Sequence, residues 1–524
     1  MVSGKMVRAA GLLSVNTFIS RVLGLVREML FASIFGANYV TDAFRVAYAI
    51  PYVLRRLLGE GAMSAFLVPI FTDIRTKEGD EEGKRFVYSA YTTFSIVVFI
   101  IIAIGILIAP VIVFIIAPGF KSSPQTFNLT VNLTRIMFPY MFLMMTSAMS
   151  MGILNSYEHF FTPSLGPIVL NLAFIGAMLY LAPLFGEDIS LQVYGLAYGV
   201  LIGGLLQVLV QVPAQFRFGI KFRPIFNFAH KGIKRMLILM GPAMIVIGVV
   251  RISLLLDNIA ASLIGEGTIS ILNYSERLLQ FPLGMIGFAV STSSLPLLAK
   301  CYAEGRIDDM KRTVMDAFSL AMIVCLPAMT GLIALGLPIV EVIYRHGAFT
   351  SQNAVGTANV LYALSAGLVG FIGVQILVPA FYAMQDMKTP LWGAIVALVI
   401  NGILDFTLMI PWGLVGIALA TTFSTFANMI MIAIMLHRKI GGLGFKRFIL
   451  RNIKVLFIST LMAVLVYYVY KYSICCLGLN TINQIIGLTF AIVSGVVIYI
   501  VLAFVFRISE IRIVISRLFK RGRT

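Results

Sequence analysis

Residues 19–36 read ISRVLGLVREMLFASIFG, an apolar stretch long enough to enter a bilayer but carrying Arg21, Arg27 and Glu28. The same mixture returns at VLRRLLGEGAMSAFLVP (53–69), with Arg55, Arg56 and Glu60. An arginine at mid-membrane costs about 2.5–3.5 kcal/mol on insertion scales, so arginines kept there face water or protein. The stretch therefore predicts a transmembrane helix with part of its surface turned away from lipid. On that helix Arg21, Gly24 and Glu28 share a face, and Arg27 sits about 120° away.

The rest of the chain agrees with a membrane setting. Of its 524 residues 60% are apolar and 12% charged, with a mean hydropathy of +0.97; a soluble domain carries about 25% charged residues. Apolar runs of about 20 residues, the length of helix that crosses a bilayer, recur from end to end. No alternation of a membrane β-barrel is present. The fold class is all-α polytopic, with fourteen transmembrane helices centred near residues 22, 57, 100, 141, 172, 204, 247, 284, 322, 366, 399, 425, 460 and 495. Pro51, Pro69, Pro282 and Pro296 interrupt the second and eighth spans. Kinked helices of that kind are tolerated where they line protein or a cavity.

Basic residues set the orientation. Loops on one side, with both tails, hold 29 of the 40 Lys and Arg, whereas the opposite side holds only Lys121, Arg345 and Lys471. The positive-inside rule then places both termini in the cytoplasm. Most of the net charge of +18 is this bias and does not indicate nucleic-acid binding. The first apolar segment, with its internal charges, is not expected to be a cleaved signal. The four cysteines (301, 325, 475, 476) form no disulfide framework, and the four histidines (159, 230, 346, 437) lack metal-site spacing.

Two landmarks suggest an internal duplication. AIPYVLRRLLGEGAMSAFLVPIF (49–71) has a loose counterpart in LQFPLGMIGFAVSTSSLPLLA (279–299), with Pro51 and Pro282 separated by 231 residues. ILNSYEHFFTPSLGPIVLN (153–171) and AFYAMQDMKTPLWGAIVALVIN (380–401) share a Thr-Pro, with Pro163 and Pro390 separated by 227. A repeat of six spans starts each half on the same side, so the two halves are parallel repeats with a cavity expected between them. The chain then divides into spans 1–6 (1–228), spans 7–12 (229–440), and spans 13–14 with a basic tail (441–524).

Eight arginines lie within spans: 21, 27, 45, 55, 56, 135, 251 and 277. Arg45 has a nearby acid in Asp42 and Arg56 has one in Glu60, while Arg135 and Arg251 read equally well as packing or as function. Arg21, Arg27, Arg55 and Arg277 exceed what Glu28, Glu60 and Glu276 neutralise, leaving positive charge where an anion can bind. Phosphates match the rigid two-pronged donor fork of arginine. A second cluster is acidic. Asp257 lies in RISLLLDNIAASLI (251–264), NGILDF places Asn401 and Asp405 one helical turn apart, and Thr421 lies in the next span. Such oxygens suit a hard cation, a proton-carrying carboxylate or a hydrogen-bonded structural knot. No Walker A sequence and no nucleophile constellation is present, so the chain reads as a transporter, without ATP hydrolysis and without a bound cofactor.

SRVLGLVRE (20–28), the DAF…P…LRRLLGEGAMSAFLVP stretch (42–69) and YSERLLQFPLGMIG (274–287) resemble the MurJ (MviN) lipid II flippases of the multidrug/oligosaccharidyl-lipid/polysaccharide exporter superfamily, and the resemblance covers essentially the whole chain. It implies two six-helix lobes around a central cavity, plus two extra helices holding the lipid tail. The substrate implied is undecaprenyl-diphosphate carrying the disaccharide–pentapeptide (lipid II), moved from the inner to the outer leaflet of the bacterial cytoplasmic membrane by alternating access. The partners are that lipid and the surrounding membrane lipids, with the chain acting as a monomer. The family's cavity arginines match Arg21, Arg27, Arg55 and Arg277, with Glu28 and Glu60 as acidic partners. Its sodium ligands match Asp257, Asn401, Asp405 and Thr421, with the Ile417 carbonyl as a further ligand, so Na⁺ is the candidate coupling ion.

Two rival readings share the fold. A flippase for another polyprenyl-diphosphate oligosaccharide would keep the arginines, and the GEGA motif argues for the peptidoglycan precursor instead. A drug exporter of the same superfamily would carry twelve spans, and a cationic drug fits poorly beside four arginines. A membrane scaffold would leave the intramembrane charges unexplained.

Overall fold

The computed structural model describes residues 4–55, 62–443 and 445–508, with side chains except at 4–10, 54–55, 62–65, 241–251, 285–289, 291–293 and 445–451. The described residues are almost wholly helical and contain no strand. Two compact units emerge: residues 1–270 with 347–349, and residues 271–346 with 350–524.

The first unit opens with α1 (Gly4–Phe35) and α2 (Tyr39–Arg55). The turn between them uses Gly36 at φ 70°. Asn38 then caps α2, its Oδ1 accepting from the Val40 N–H at 2.9 Å, while the Asn38 N–H donates to Thr41 Oγ1 at 2.9 Å. This reciprocal cap satisfies amides that the helix start leaves free. There follow α3 (Ala62–Glu78), α4 (Asp80–Leu107), α5 (Ala109–Ile116), α6 (Pro124–Met137), α7 (Tyr140–Ser156), the single turn α8 (Phe161–Ser164), α9 (Gly166–Gly176), α10 (Ile189–Arg217) and α11 (Lys231–Ile264). A π turn at Ala177–Leu181 and a 3₁₀ turn at Ala182–Phe185 continue α9. α11, which the sequence numbering assigns to the second half, packs here against α3, α4 and α5.

The second unit holds α12 (Thr268–Ala303) from residue 271 onward, α13 (Ile307–Tyr344), α14 (Ser351–Ala366), α15 (Leu368–Ala383), α16 (Lys388–Ile440), α17 (Phe445–Leu477) and α18 (Thr481–Val505). α16 is 53 residues long but folds in two at Gly413 (φ 54°, ψ −133°), two residues after Pro411. Eight described helices are long and apolar enough to cross a bilayer, and the α14–α15 pair, bent by 42°, adds a ninth. With α16 taken as two arms, and with α1, α2–α3, α11 and α12, the element order is compatible with the fourteen expected crossings, of which length and apolarity alone mark nine among the described residues. Apolar side chains such as Ile100, Leu205 and Val496 stand exposed on the outer faces, where lipid replaces water.

The duplication shows at the level of single turns. Glu158 (φ 57°) and Gln385 (φ 58°), 227 residues apart, are two of the three described non-glycine residues with positive φ. The same three backbone bonds close each turn: 157 to 154, 158 to 155 and 159 to 154 in the first, 384 to 381, 385 to 382 and 386 to 381 in the second. Gly186 and Gly413, again 227 apart, both take positive φ. Beyond them the offset becomes 221. Gly195 lies against Ala182 and the Leu181 carbonyl, and Gly416 against the Leu408 carbonyl. A methyl group at either position would strike backbone, so glycine lets the returning helix close on the preceding one. Gln207 and Asn428 keep the 221 offset, facing Gly166 and Gly393, which keep the 227.

Candidate functional site

Arg27 stands on α1, half-buried, and its guanidinium has three neighbours. It donates to Glu28 Oε1 at 2.6 Å and to Asn171 Oδ1 at 3.2 Å, and its Cζ lies 5.0 Å from the centre of the Phe174 ring. Asn171 and Phe174 are three residues apart on α9, so they share the face that meets α1. Asn171 is itself fixed by donating to the Ser20 carbonyl at 3.0 Å. The second oxygen of Glu28 accepts from Arg45 Nη2 at 3.0 Å, and the Arg45 Cζ stacks 5.1 Å over Phe31. One buried carboxylate thus sits between two arginines, and the trio keeps a net positive charge in a low-dielectric setting, where hydrogen bonds to charged groups are strong.

The Arg45–Asp42 pairing suggested by sequence spacing is not what the structure shows. Asp42 is fully buried and instead caps the start of α12, accepting from Gly267 N at 2.6 Å, Ser270 N at 2.8 Å and Ser270 Oγ at 2.7 Å. Arg45, one turn further along α2, turns toward α1. Asn171, Phe174 and Arg45 completed the surroundings of Arg27 without a motif to announce them; the i, i+3 spacing of Asn171 and Phe174 was the available signal.

Of the other expected anion ligands, two have described side chains. Arg21 is exposed on α1, and Arg277 is half-buried on α12 in the second unit, next to Glu276. The Arg55 side chain and residues 56–61, Glu60 among them, lie outside the described residues.

The acidic set lies mostly on α16. Asn401 and Asp405 are buried on its first arm, with Asn401 Nδ2 donating to Asp405 Oδ1 at 3.2 Å. On the second arm the Ile417 carbonyl accepts from Thr421 Oγ1 at 3.1 Å. Asp257 is buried on α11, in the first unit. Among the described residues no group of three or more His, Cys, Asp or Glu converges as a metal site would require. The donors carried by α16, one carboxylate with neutral amide, hydroxyl and carbonyl oxygens, are of the kind that suits a monovalent hard cation better than a transition metal. Cys301 and Cys325 are buried and unpaired, and Cys475 and Cys476 are exposed, in keeping with the absence of a disulfide framework.

Comparisons with known proteins agree with one another. The family described as lipid II flippase MurJ matches residues 31–482. A probable lipid II flippase MurJ of Buchnera aphidicola subsp. Acyrthosiphon pisum is 34% identical over 486 residues, covering 92% of this chain and 94% of the relative. The lipid II flippase MurJ of Burkholderia cenocepacia is 34% identical over 427 residues, covering 81% and 82%. Among solved structures, a lipid II flippase MurJ in an inward closed conformation superimposes with a TM-score of 0.79 at 28% identity, over 94% of this chain and 98% of that one. An inward-facing multidrug resistance MATE family transporter of the MOP superfamily shares the fold, with a TM-score of 0.65 at 14% identity over 82% and 98%. The chain belongs to the MurJ lipid II flippase family, a set of polytopic helical membrane proteins with the fold of the MOP superfamily.

Proposed function

We propose that this chain moves lipid II from the inner to the outer leaflet of the bacterial cytoplasmic membrane by alternating access, and that it transforms no bond in doing so. The observation that carries this reading is Arg27, a guanidinium within a membrane helix, oriented by Glu28, Asn171 and Phe174 in a chain of this family. The diphosphate of a lipid-linked sugar is the matching anion. Burying a polar headgroup without partners is unfavourable by several kcal/mol per group, and oriented arginines lower that barrier while the tail stays in lipid. Arg21, Arg55 and Arg277 are assigned the same anionic headgroup, with Glu28 and Glu60 balancing the charge when no substrate is present. The basic loops support cytoplasmic termini.

Complementation tests the assignment. Arg27→Ala is expected to abolish rescue of a flippase-depleted cell at wild-type membrane levels, and Arg27→Lys to rescue in part, because an ammonium lacks the two-pronged fork. Normal growth of Arg27→Ala would contradict the assignment.

Na⁺ is the proposed coupling ion, held by Asn401, Asp405, the Ile417 carbonyl and Thr421, with Asp257 as the second carboxylate. An ion drives a conformational cycle only through different affinities for the two states. Binding of ²²Na⁺ to the purified wild type, lost in Asp405→Ala, is the expected result. Equal and negligible binding by both between pH 6 and 8 would leave these acids as proton carriers or structural groups.

A further inference from the structure

The duplication sets each cation ligand of the second half against a residue of the first. α1 and α11 align at an offset of 229, carried by Ala32 and Ala261, Ser33 and Ser262, and Gly36 and Gly265; Glu28 then corresponds to Asp257. Between the matched glycines 166/393 and 186/413 the offset stays at 227, so Phe174 corresponds to Asn401 and Met178 to Asp405. The 221 offset carried by Gly195/Gly416 and Gln207/Asn428 sets Leu196 against Ile417 and Val200 against Thr421. Asn401, Asp405 and Thr421 thus lose their side-chain oxygens to Phe174, Met178 and Val200 in the first half, the Ile417 carbonyl has a backbone counterpart at Leu196, and of the two carboxylates only that of Glu28 persists.

What surrounds that carboxylate is a different kind of cation site. Glu28 accepts from Arg27 at 2.6 Å and from Arg45 at 3.0 Å. Both guanidinium groups sit over aromatic rings, the Arg27 Cζ 5.0 Å from the Phe174 centroid and the Arg45 Cζ 5.1 Å from that of Phe31. Phe174 occupies the very position where the second half has the amide of Asn401. A small hard cation needs oxygen ligands. A guanidinium is planar, weakly hydrated and favourably placed on a ring face. The exchange of amide and carboxylate for phenyl and thioether is the exchange expected when the occupant changes from the first kind to the second.

We propose that the first half retains the duplicate of the ion site and fills it with the chain's own guanidinium groups, Arg45 acting as the tethered counter-ion of Glu28. In consequence the chain binds a coupling cation in its second half only, and the first half is blind to the ion gradient. The equivalence rests on the cation reading given above; the guanidinium pocket around Glu28 stands on its own contacts.

Chemical rescue separates the two. Arg45→Ala removes the tethered cation and leaves a cavity beside Glu28 and Phe31. The purified variant is expected to melt at a lower temperature than wild type, and millimolar methylguanidinium is expected to restore most of the loss. Equal concentrations of NaCl or methylammonium chloride should restore little, and Glu28→Gln/Arg45→Ala should show no rescue by any of the three. Arg45→Lys, which keeps a tethered charge of the wrong shape, should melt between wild type and Arg45→Ala and gives a readout if the alanine variant fails to fold. Rescue by Na⁺ equal to that by methylguanidinium, or a melting temperature unchanged by Arg45→Ala, would overturn the proposal. Loss of ²²Na⁺ binding in Asp405→Ala bears on the second-half site; absence of such binding in wild type would remove the equivalence, whereas the rescue experiment tests the guanidinium pocket alone.

Discussion

At Arg27 the sequence revealed the charge and concealed what holds it. A guanidinium within an apolar stretch is conspicuous, and so is the carboxylate beside it. Nothing in the residue types linked Arg45 to Glu28, since their contact joins side chains 17 positions apart on two helices. Asn171 and Phe174 are ordinary residues of an apolar helix until α9 packs on α1. The geometry assigns them the positioning of Arg27. Asn171→Leu removes one charge-assisted hydrogen bond, an interaction of about 1.5–3 kcal/mol, and Phe174→Leu removes the ring face while keeping the bulk. Each variant is expected to weaken complementation less than Arg27→Ala does, and the double variant to approach it. Wild-type growth of the double variant at normal protein levels would show that Arg27 needs no such support.

Among the elements, the broken helices were partly legible. The eighth span, expected to be interrupted at Pro282 and Pro296, is one continuous helix, α12, and residues 56–61 of the second lie outside the described residues; proline stands two residues before the fold in α16, but the break itself falls at Gly413, where positive φ is required. The π turn at Ala177–Leu181 has no sequence signal in Ala-Met-Leu-Tyr-Leu. The turn after α15 carries its own test. Asp386 caps α16, its Oδ1 accepting from the Lys388 and Thr389 amides at 3.1 Å, and its Oδ2 accepts from Lys439 Nζ at 2.6 Å. Partial burial pushes this carboxyl up, but the bonds from Lys439 and Thr389 outweigh it and hold the group well below the usual carboxylate range. A group depressed in the folded state stabilises the protein above its unfolded value, about 3.9, and loses that effect as pH falls through the folded value. Asp386→Ala is therefore expected to destabilise by about 1–2 kcal/mol, mostly the lost cap, with a melting-temperature deficit that is constant from pH 5 to 8 and closes only below about pH 4. A deficit that already closes by pH 6 would contradict the assigned cap and ion pair.

For the whole molecule, hydropathy, loop charge and two proline landmarks carried the reading as far as an all-α polytopic fold built on a repeat. The order of spans follows from composition because a bilayer leaves helices few alternatives. The packing of α11 with α3, α4 and α5 was hidden, because a repeat boundary in sequence says nothing about which neighbours a helix buries itself against. The repeat register also separates two similar residues: Asn171 and Asn401 each follow a Thr-Pro, but the 227 offset sets Asn401 against Phe174. That displacement sets the amide of Asn401 against the aromatic face of Phe174. On the function proposed above, an oriented arginine in this fold carries a lipid-linked diphosphate across the membrane. The most direct measurement places the purified chain in vesicles containing fluorescent lipid II and follows the fraction of label reached by an impermeant quencher added outside. Wild type is expected to bring label from the inner leaflet within reach. Arg27→Ala, purified with an unchanged elution profile, is expected to match protein-free vesicles. Equal transfer by wild type and Arg27→Ala, or no transfer by wild type with or without a Na⁺ gradient, would contradict the account.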